Sequence, residues 1–208
     1  MPPRAAEARM TRFIFDLDGT VSAEETLPLI AARFGIEEEI AALTRETVAG
    51  NIPFVTSFIR RVRLLSHLPV SEVRGLLEGV RLFPGVLAFI REHGAQCAIA
   101  TGNLDCWVGP LLARVGVAGH TSSALVEDDR ILKLTKILRK EDVVGMFKER
   151  GETVVFVGEG HNDTEAMRLA DVSIASALVH TPADSVLRIA DHLVFEEDTL
   201  CRLLRRLA

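Results

Sequence analysis

The chain has 208 residues, 48% of them hydrophobic, which is enough for a buried core and excludes a disordered protein. The formal net charge of −5 argues against a dedicated nucleic-acid-binding protein, and no apolar run reaches the roughly 18 residues that a membrane-spanning helix needs. The chain starts without a secretory-type apolar stretch, and its three cysteines have no metal-type spacing, so we expect a cytoplasmic protein.

After a leader at residues 1–10, which we expect to be flexible, short uninterrupted apolar runs alternate with helical stretches. Such runs are typical of strands that are covered on both faces of a parallel sheet. The runs are residues 13–15, 97–100, 154–157 and 172–175, and the helical stretches are residues 84–93, 104–115, 140–149 and 162–169. This alternation predicts an α/β fold with a Rossmann-like, doubly wound parallel sheet.

Two segments depart from the alternation. Between the first and second apolar runs only helical patterns occur, and they indicate four short helices, the first ended by Gly35 and the second by Gly50. We therefore predict a helical-bundle cap inserted into a core domain: the cap spans residues 22–81, and the core spans residues 11–21 and 82–208. A β-hairpin with a polar turn is predicted between Ser122 and Leu138.

Two aspartates directly follow the first predicted strand, in the segment Asp16-Leu17-Asp18-Gly19-Thr20. Residues two apart in an extended chain face the same way, so Asp16 and Asp18 point together at the carboxyl end of a strand, where open α/β sheets bind ligands. Two close carboxylates raise each other's pKa unless a cation such as Mg²⁺, which prefers oxygen ligands, offsets their charge. The pattern is typical of a nucleophile, Asp16, beside a general acid, Asp18, although aspartate and glycine also occur in ordinary turns.

The order of the further motifs resembles that of the haloacid dehalogenase superfamily, and within it the phosphoserine phosphatase-like branch. Residues 16–20 match the first motif of that family, and Thr101-Gly102-Asn103 match the second, whose hydroxyl and following N–H hold the phosphate. The resemblance implies an aspartyl-phosphate on Asp16, with Asp18 protonating the leaving alkoxide and then activating water. It also implies a catalytic role for Thr101 and substrate binding by Gly102 and Asn103.

The third and fourth motifs lie farther along the chain. Lys140, which opens a predicted helix, matches the lysine that neutralises the nucleophile and the phosphoryl oxygens, while Lys133 and Lys136 on the predicted hairpin compete for this role. Residues 158–163 match the fourth motif, which implies Asn162 in substrate binding. The resemblance implies Mg²⁺ as the cofactor; its ligands are then Asp16, Asp18, Glu159 and Asp163.

Glu159 departs from the family, which usually has Asp at this place. Mg²⁺ demands octahedral geometry at about 2.0–2.1 Å, and the extra methylene of Glu159 displaces its carboxylate by roughly a bond length. Two interpretations stay open. Either Glu159 binds the metal directly or through water, or the site is weakened and the protein serves to bind phosphate or a partner.

The helical insert resembles the small cap of the phosphoserine phosphatase group. In that group a Glu after the first motif reads the ammonium group of the substrate, and a cap Arg binds its carboxylate with a Phe nearby. The matching positions are Glu25, Arg61 and Phe54. Each also has an ordinary interpretation, as a solvated acid at a helix start, a surface arginine and a core aromatic.

The favoured prediction is a Mg²⁺-dependent phosphomonoester hydrolase, an enzyme for phosphoserine or a similar small amino-acid phosphate. The alternatives are a phosphatase or phosphotransferase for another small phosphomonoester, and a catalytically weakened binding protein. We expect a small-molecule substrate and no nucleic-acid or membrane partner, and the sequence does not indicate an oligomeric state. The five histidines outside the fourth motif, including His180, form no ligand pattern, and Trp107 is interpreted as packing.

Overall fold

The computed structural model describes residues 9–48 and 51–208, and a single mixed sheet forms its centre. The strands are β1 (Thr11–Phe15), β2 (Cys97–Leu104), β3 (Ala118–Glu127), β4 (Arg130–Lys136), β5 (Thr153–Gly158), β6 (Val172–Ser176) and β7 (His192–Val194). Their order is β4-β3-β2-β1-β5-β6-β7, and every neighbouring pair is parallel except β3 and β4. The predicted α/β class and doubly wound sheet are confirmed.

Helices cover both faces of this sheet. They are α1 (Thr26–Phe34), α2 (Glu37–Val48), α3 (Phe54–Leu65), α4 (Val70–Glu78), α5 (Pro84–Glu92), α6 (Asp105–Val115), α7 (Lys140–Glu149), α8 (Thr164–Leu169), α9 (Asp184–Leu187) and α10 (Glu197–Leu207). Successive side chains of β1 alternate between two apolar clusters. Phe13 and Phe15 pack with α5, α6 and α10, while Ile14 packs with α7, α8 and α9.

The strand order places a topological switch at β1. The chain runs from β1 to β2 and β3 on one side, and then returns to β5 on the other side of β1. Because these strands are parallel, their carboxyl ends meet at one edge, and open α/β sheets bind ligands in the crevice at such a switch. Asp16 follows β1 there and Glu159 follows β5.

The helices α1–α4 form the insert between β1 and α5. An antiparallel bridge between Ser22 and Leu82 closes its base, and Gly35 ends α1 in the left-handed conformation at φ 68°, as the sequence predicted. Apolar side chains of the insert, such as Ile30 and Val73, belong to the same cluster as those of α5 and α6. The division into two domains at residues 22–81 stays a prediction.

Some features differ from the sequence prediction or lie beyond it. The first half of β3 pairs in parallel with β2 before the second half forms the predicted hairpin with β4, and β7 has no counterpart in the prediction. The fourth-motif segment begins as a 3₁₀ turn, His161–Asp163, before α8. Most of the predicted leader, residues 1–8, and Gly50 lie outside the described residues.

In the part of the chain that the structure describes, no helix combines the length and the apolar character needed to cross a membrane.

Candidate active site

A buried lysine lies at the floor of the site. Lys140 is the first residue of α7, its side chain is 2% exposed, and its Nζ lies 2.6 Å from Asp16 Oδ1 and 2.5 Å from Asp163 Oδ1. Burial opposes the ammonium charge, but the two carboxylates outweigh it and raise the pKa of Lys140. Lys133 and Lys136 are exposed on β4 and line a separate groove, so the geometry favours Lys140 for the third-motif role.

Asp163 does not fit its predicted role as a metal ligand. Its side chain is fully buried, Oδ1 accepts from Lys140, and Oδ2 accepts the backbone N–H groups of Glu159 and Gly160 at 2.9 and 2.8 Å. Donors therefore surround both oxygens, and the carboxylate instead fixes Lys140 and the loop after β5. Gly158 leaves the room for this, because a Cβ there would lie 2.6 Å from Asp163 Oδ2.

Asp18 is oriented by hydrogen bonds from two elements. Its Oδ1 accepts the N–H of Thr26 at the start of α1 at 2.8 Å, and its Oδ2 accepts Nδ2 of Asn103 at 2.6 Å. Burial raises the pKa of Asp18 and these hydrogen bonds lower it, with burial prevailing. Asp18 is thus held in place and biased towards its protonated form, which suits a proton donor.

Asn103 and Thr101 form a hydrogen-bonded pair at the end of β2. The backbone N–H and Nδ2 of Asn103 each donate to Thr101 Oγ1 at 3.2 Å, so the threonine hydroxyl keeps its own hydrogen for another acceptor. The amide of Asn103 also bonds Thr26. Asn103 therefore orients Asp18 and Thr101 in this structure, whereas the sequence prediction made it a substrate-binding residue.

Several carboxyl groups crowd this edge of the sheet. Burial raises the pKa of Asp16 well above its ordinary value and that of Glu159 to about 9, and the neighbouring acids add to both shifts. Among the described residues, Lys140 is the lysine or arginine that forms an ion pair with Asp16. One cation therefore faces several carboxyl groups, and negative charge is in excess. Oxygen donors with excess negative charge fit a divalent cation such as Mg²⁺, with Asp16 and Glu159 as the candidate side-chain ligands. Both carboxylate oxygens of Asp18, a predicted ligand, already accept hydrogen bonds, as those of Asp163 do.

The turn after Asp18 depends on glycine. Gly19 has φ 65°, a left-handed conformation that L side chains rarely adopt. A Cβ there would lie 2.9 Å from Glu25 Oε1 and 3.5 Å from Glu159 Cγ. The missing side chain therefore lets both glutamates approach the first motif.

The predicted site residues converge on one cavity of about 180 Å³. Its lining contains Asp16, Asp18, Glu25, Phe54, Arg61, Thr101, Gly102, Asn103, Glu159 and Asn162. Lys140 and Asp163 lie beneath this lining as the buried pair. Residues from β1, β2, β5 and the insert thus meet in one small space.

The insert supplies the roof of the cavity through α3. Phe54 stacks on Phe58 at 6.3 Å between ring centroids. Arg61 lies about one helical turn beyond Phe58 and two turns beyond Phe54. Arg61 donates to Thr44 Oγ1 at 3.3 Å, while its buried Nε has no hydrogen-bond partner among the described residues. Burial lowers the pKa of Arg61, so the guanidinium that lines the cavity is a partly desolvated cation.

Comparisons with known proteins identify the family. A family model described as haloacid dehalogenase-like hydrolase matches residues 13–168, about three quarters of the chain. The chain belongs to the haloacid dehalogenase-like hydrolase family.

Two curated relatives and one solved structure are similar over at least four fifths of the chain. The phosphoserine phosphatase of Halobacterium salinarum is 31% identical and aligns with 94% of this chain and 97% of its own. That of Methanocaldococcus jannaschii is 29% identical, with 81% and 86% covered. A substrate-bound phosphoserine phosphatase structure superposes with a TM-score of 0.80 at 23% identity, covering 97% and 99%, and shows the shared fold. The predicted family, fold and phosphatase class are confirmed.

Three residues of this haloacid dehalogenase-like site were missed by the sequence analysis. Thr26 holds Asp18 and Asn103. Trp107 packs in the core, as predicted, and also lines the cavity. His180 Nε2 lies 3.0 Å from Glu25 Oε1 and 3.3 Å from Glu159 Oε2. Thr26 and Trp107 each stand within six residues of a motif, which was an available signal. His180 is 155 residues from Glu25 in sequence, and no local pattern marks it.

Proposed function

We propose that this chain hydrolyses a small phosphomonoester that carries an amino-acid headgroup, with phosphoserine as the favoured substrate. The observation that carries the proposal is the cavity whose lining combines Asp16, Asp18 and Thr101 with Arg61 and Glu25. The first group suits phosphoryl chemistry, and the second suits a carboxylate and an ammonium group. The curated relatives named phosphoserine phosphatase support the same substrate.

Asp16 is the proposed nucleophile. Lys140 holds its Oδ1 at 2.6 Å, and the other carboxylate oxygen attacks phosphorus. The bond between phosphorus and the alcohol oxygen breaks, and Asp18 gives its proton to that oxygen, which releases the alcohol and leaves an aspartyl-phosphate. Asp18, now ionised, takes a proton from water; the water oxygen attacks phosphorus, the bond to Asp16 breaks, and inorganic phosphate forms.

Positive charge and hydrogen-bond donors must offset the repulsion between a phosphate dianion and a carboxylate. Lys140, the Thr101 hydroxyl and the backbone N–H of Gly102 are the proposed protein donors. Mg²⁺, when bound by Asp16 and Glu159, would supply further positive charge for the phosphoryl oxygens. Asn162 lines the cavity beside Gly102 and is proposed to contact the substrate.

We propose that the insert binds the headgroup of the substrate. The planar guanidinium of Arg61 matches a carboxylate, and its buried Nε has no partner among the described residues. Glu25 matches an ammonium group, and Phe54 covers the apolar part of the substrate.

The thiols of Cys97, Cys106 and Cys201 are all free, which agrees with the proposed cytoplasmic location.

The test is phosphate release by the purified protein with Mg²⁺, comparing phosphoserine, phosphothreonine and an aryl phosphate. We expect preference for phosphoserine and loss of activity in Asp16→Asn. Activity on the aryl phosphate alone would overturn the headgroup assignment and keep the hydrolase. Absence of activity with Mg²⁺, Mn²⁺ and Co²⁺ would overturn the enzyme proposal and favour a phosphate-binding role.

A further inference from the structure

The Glu159 side chain is supported on one side by a loop that the sequence analysis did not connect with the site. This loop, residues 177–183, links β6 to α9. It is fixed at both ends, because Ala177 N–H donates to Val194 O and Ala183 N–H donates to Glu159 O, each at 2.8 Å. The backbone of Glu159 is therefore tied directly to the loop that carries His180.

The His180 ring bridges two acidic side chains of the site. Its Nδ1 lies 3.1 Å from the carbonyl oxygen of Thr181. Its Nε2 lies 3.3 Å from Glu159 Oε2 and 3.0 Å from Glu25 Oε1. Among the described residues, no side chain forms a hydrogen bond or an ion pair with the other carboxylate oxygen of Glu159, Oε1.

Glutamate at this position needs more support than aspartate does. It has one more rotatable bond, and ordering that bond costs conformational entropy when a metal binds. Mg²⁺ tolerates little deviation from octahedral geometry. Residues that bond to a metal ligand on its far side fix its orientation, and their loss typically lowers metal affinity by about 10- to 100-fold.

We propose that His180 is a positioning residue that holds Oε2 of Glu159 and thereby directs Oε1 towards the Mg²⁺ site at Asp16. His180 and Glu159 then act as one unit, in which the histidine compensates for the longer acid. This inference rests on the metal site of the proposed function, and it adds a residue to which neither the family motifs nor the sequence pattern assigned a role.

The experiment is a double-mutant cycle that measures Mg²⁺ binding without substrate. Trp107 is the single tryptophan of the chain and lines the cavity, so its fluorescence is used to measure the dissociation constant of Mg²⁺. Titration calorimetry measures the same constant independently. The variants are His180→Ala, Glu159→Asp, the double variant and His180→Gln, whose amide can replace Nε2 as a partner of Glu159. His192→Ala, an exposed histidine on β7, is the matched control.

We expect His180→Ala to weaken Mg²⁺ binding by about 10- to 100-fold and His180→Gln to restore most of the loss. In the Glu159→Asp background, His180→Ala should change the affinity by less than about two-fold, because the shorter acid no longer reaches the ring. The Mg²⁺ concentration for half-maximal activity should rise with the dissociation constant, and higher Mg²⁺ should recover most of the turnover. His192→Ala should bind as the wild type does.

Three results would overturn the proposal. One is wild-type affinity in His180→Ala, and another is the same loss in both Glu159 backgrounds. The third is a His180→Gln variant as weak as His180→Ala, which would indicate that the ring itself binds a metal with Glu25 and Glu159, whose ligand atoms all lie within 4.8 Å of one another. A wild-type protein that bound no Mg²⁺ would overturn the metal site of the proposed function as well, which distinguishes the two failures. Thermal unfolding in EDTA verifies that each variant is folded.

Discussion

At the scale of single residues, the site is organised by the cost of burying charge. A buried ion is tolerated when opposite charges and hydrogen bonds surround it. Lys140 meets this condition between Asp16 and Asp163. For Asp16, Asp18 and Glu159, burial outweighs the favourable contacts and raises the pKa of each carboxyl group. The same arrangement favours the protonated form of Asp18 more than in water, and it favours a cation beside Glu159.

The proton-donor role of Asp18 predicts a loss that depends on the leaving group. In Asp18→Asn the amide cannot transfer a proton, so kcat on phosphoserine should fall by about 10²- to 10⁴-fold. An aryl phosphate needs no proton on its leaving group, so the first step should persist and give a burst of phenol without sustained turnover. Rapid-mixing kinetics measures the burst, and equal steady turnover in variant and wild type would contradict the assignment.

The position of Arg61 in the cavity lining predicts a specific effect on KM. Losing a hydrogen-bonded charge pair costs about 1.5–3 kcal/mol, so Arg61→Ala should raise KM for phosphoserine by about 10- to 150-fold. Arg61→Lys keeps the charge but not the planar fork, and should lie between. The penalty should be smaller for a phosphomonoester without a carboxylate. Arg60→Ala, exposed on the same helix, is the control in steady-state kinetics, and equal effects at both positions would refute the role.

At the scale of elements, the hairpin tip and the insert are joined. The turn between β3 and β4 contains Asp128 and Asp129, both with positive φ. Asp129 accepts the N–H of Ser71 at 2.8 Å and its hydroxyl at 2.5 Å, and its carbonyl accepts the N–H of Val70 at 2.7 Å. Residues of the hairpin thus cap the N-terminus of α4, which its own preceding residue Pro69 does not do.

Two glycines of the insert predict opposite changes in the free energy of unfolding. Gly35 has φ 68° at the end of α1, so Gly35→Ala should lower it by about 1–2 kcal/mol. Gly75 lies inside α4 with open space around it, so Gly75→Ala should raise it by about 0.5–1 kcal/mol. Urea denaturation measures both, and changes of the same sign would contradict these conformations.

The β6–β7 edge predicts a dependence of stability on pH. Asp191 accepts the N–H and hydroxyl of Ser173 at 2.8 Å each, and these bonds lower its pKa below the ordinary 3.8. Because the pKa of Asp191 is lower in the folded state, ionised Asp191 stabilises the fold at pH values above 3.8. This contribution is lost as the pH falls through the lowered pKa. Asp191→Asn should therefore show a smaller loss of stability on acidification, measured by thermal unfolding at several acidic pH values. Parallel plots of Tm against pH for the variant and the wild type would refute this prediction.

At the scale of the whole molecule, the insert and the sheet share one apolar core. Side chains from α1, α3 and α4 pack in the same cluster as those from β1, α5 and α6. Arg114 of α6 also donates to the carbonyl oxygens of Glu78 and Val80 at the end of α4, the second at 2.8 Å. We therefore expect the insert and the sheet to unfold together, in one cooperative transition.

Metal removal should act on that single transition. At a Mg²⁺ concentration 100 times the dissociation constant, binding adds about 2.7 kcal/mol, which for a chain of this size is a rise in Tm of about 5–10 °C over the value in EDTA. Glu159→Gln should lose most of this rise, because the amide is a poorer ligand for a hard cation. Calorimetry measures both proteins, and equal Tm values with Mg²⁺ and EDTA would contradict a Mg²⁺ site.

The sequence was sufficient wherever the signal is local. Uninterrupted apolar runs identified the buried strands, and α7 begins at Lys140 as predicted, because side-chain periodicity and burial are properties of neighbouring residues. The order of the four motifs indicated the family and most of the cavity lining. It did not identify β7, because this strand has three residues and two of them are exposed.

Tertiary structure decided what each group contacts. Sequence spacing could not show that Asp163 bonds Lys140 and two backbone N–H groups, or that Asn103 holds Asp18. Nor could it bring His180 to Glu159, because that contact depends on the loop after β6 folding back over the carboxyl end of β5. Residue types determine which chemistry is available, and long-range packing determines which partner each charged group has, because charge interactions depend on distance and burial.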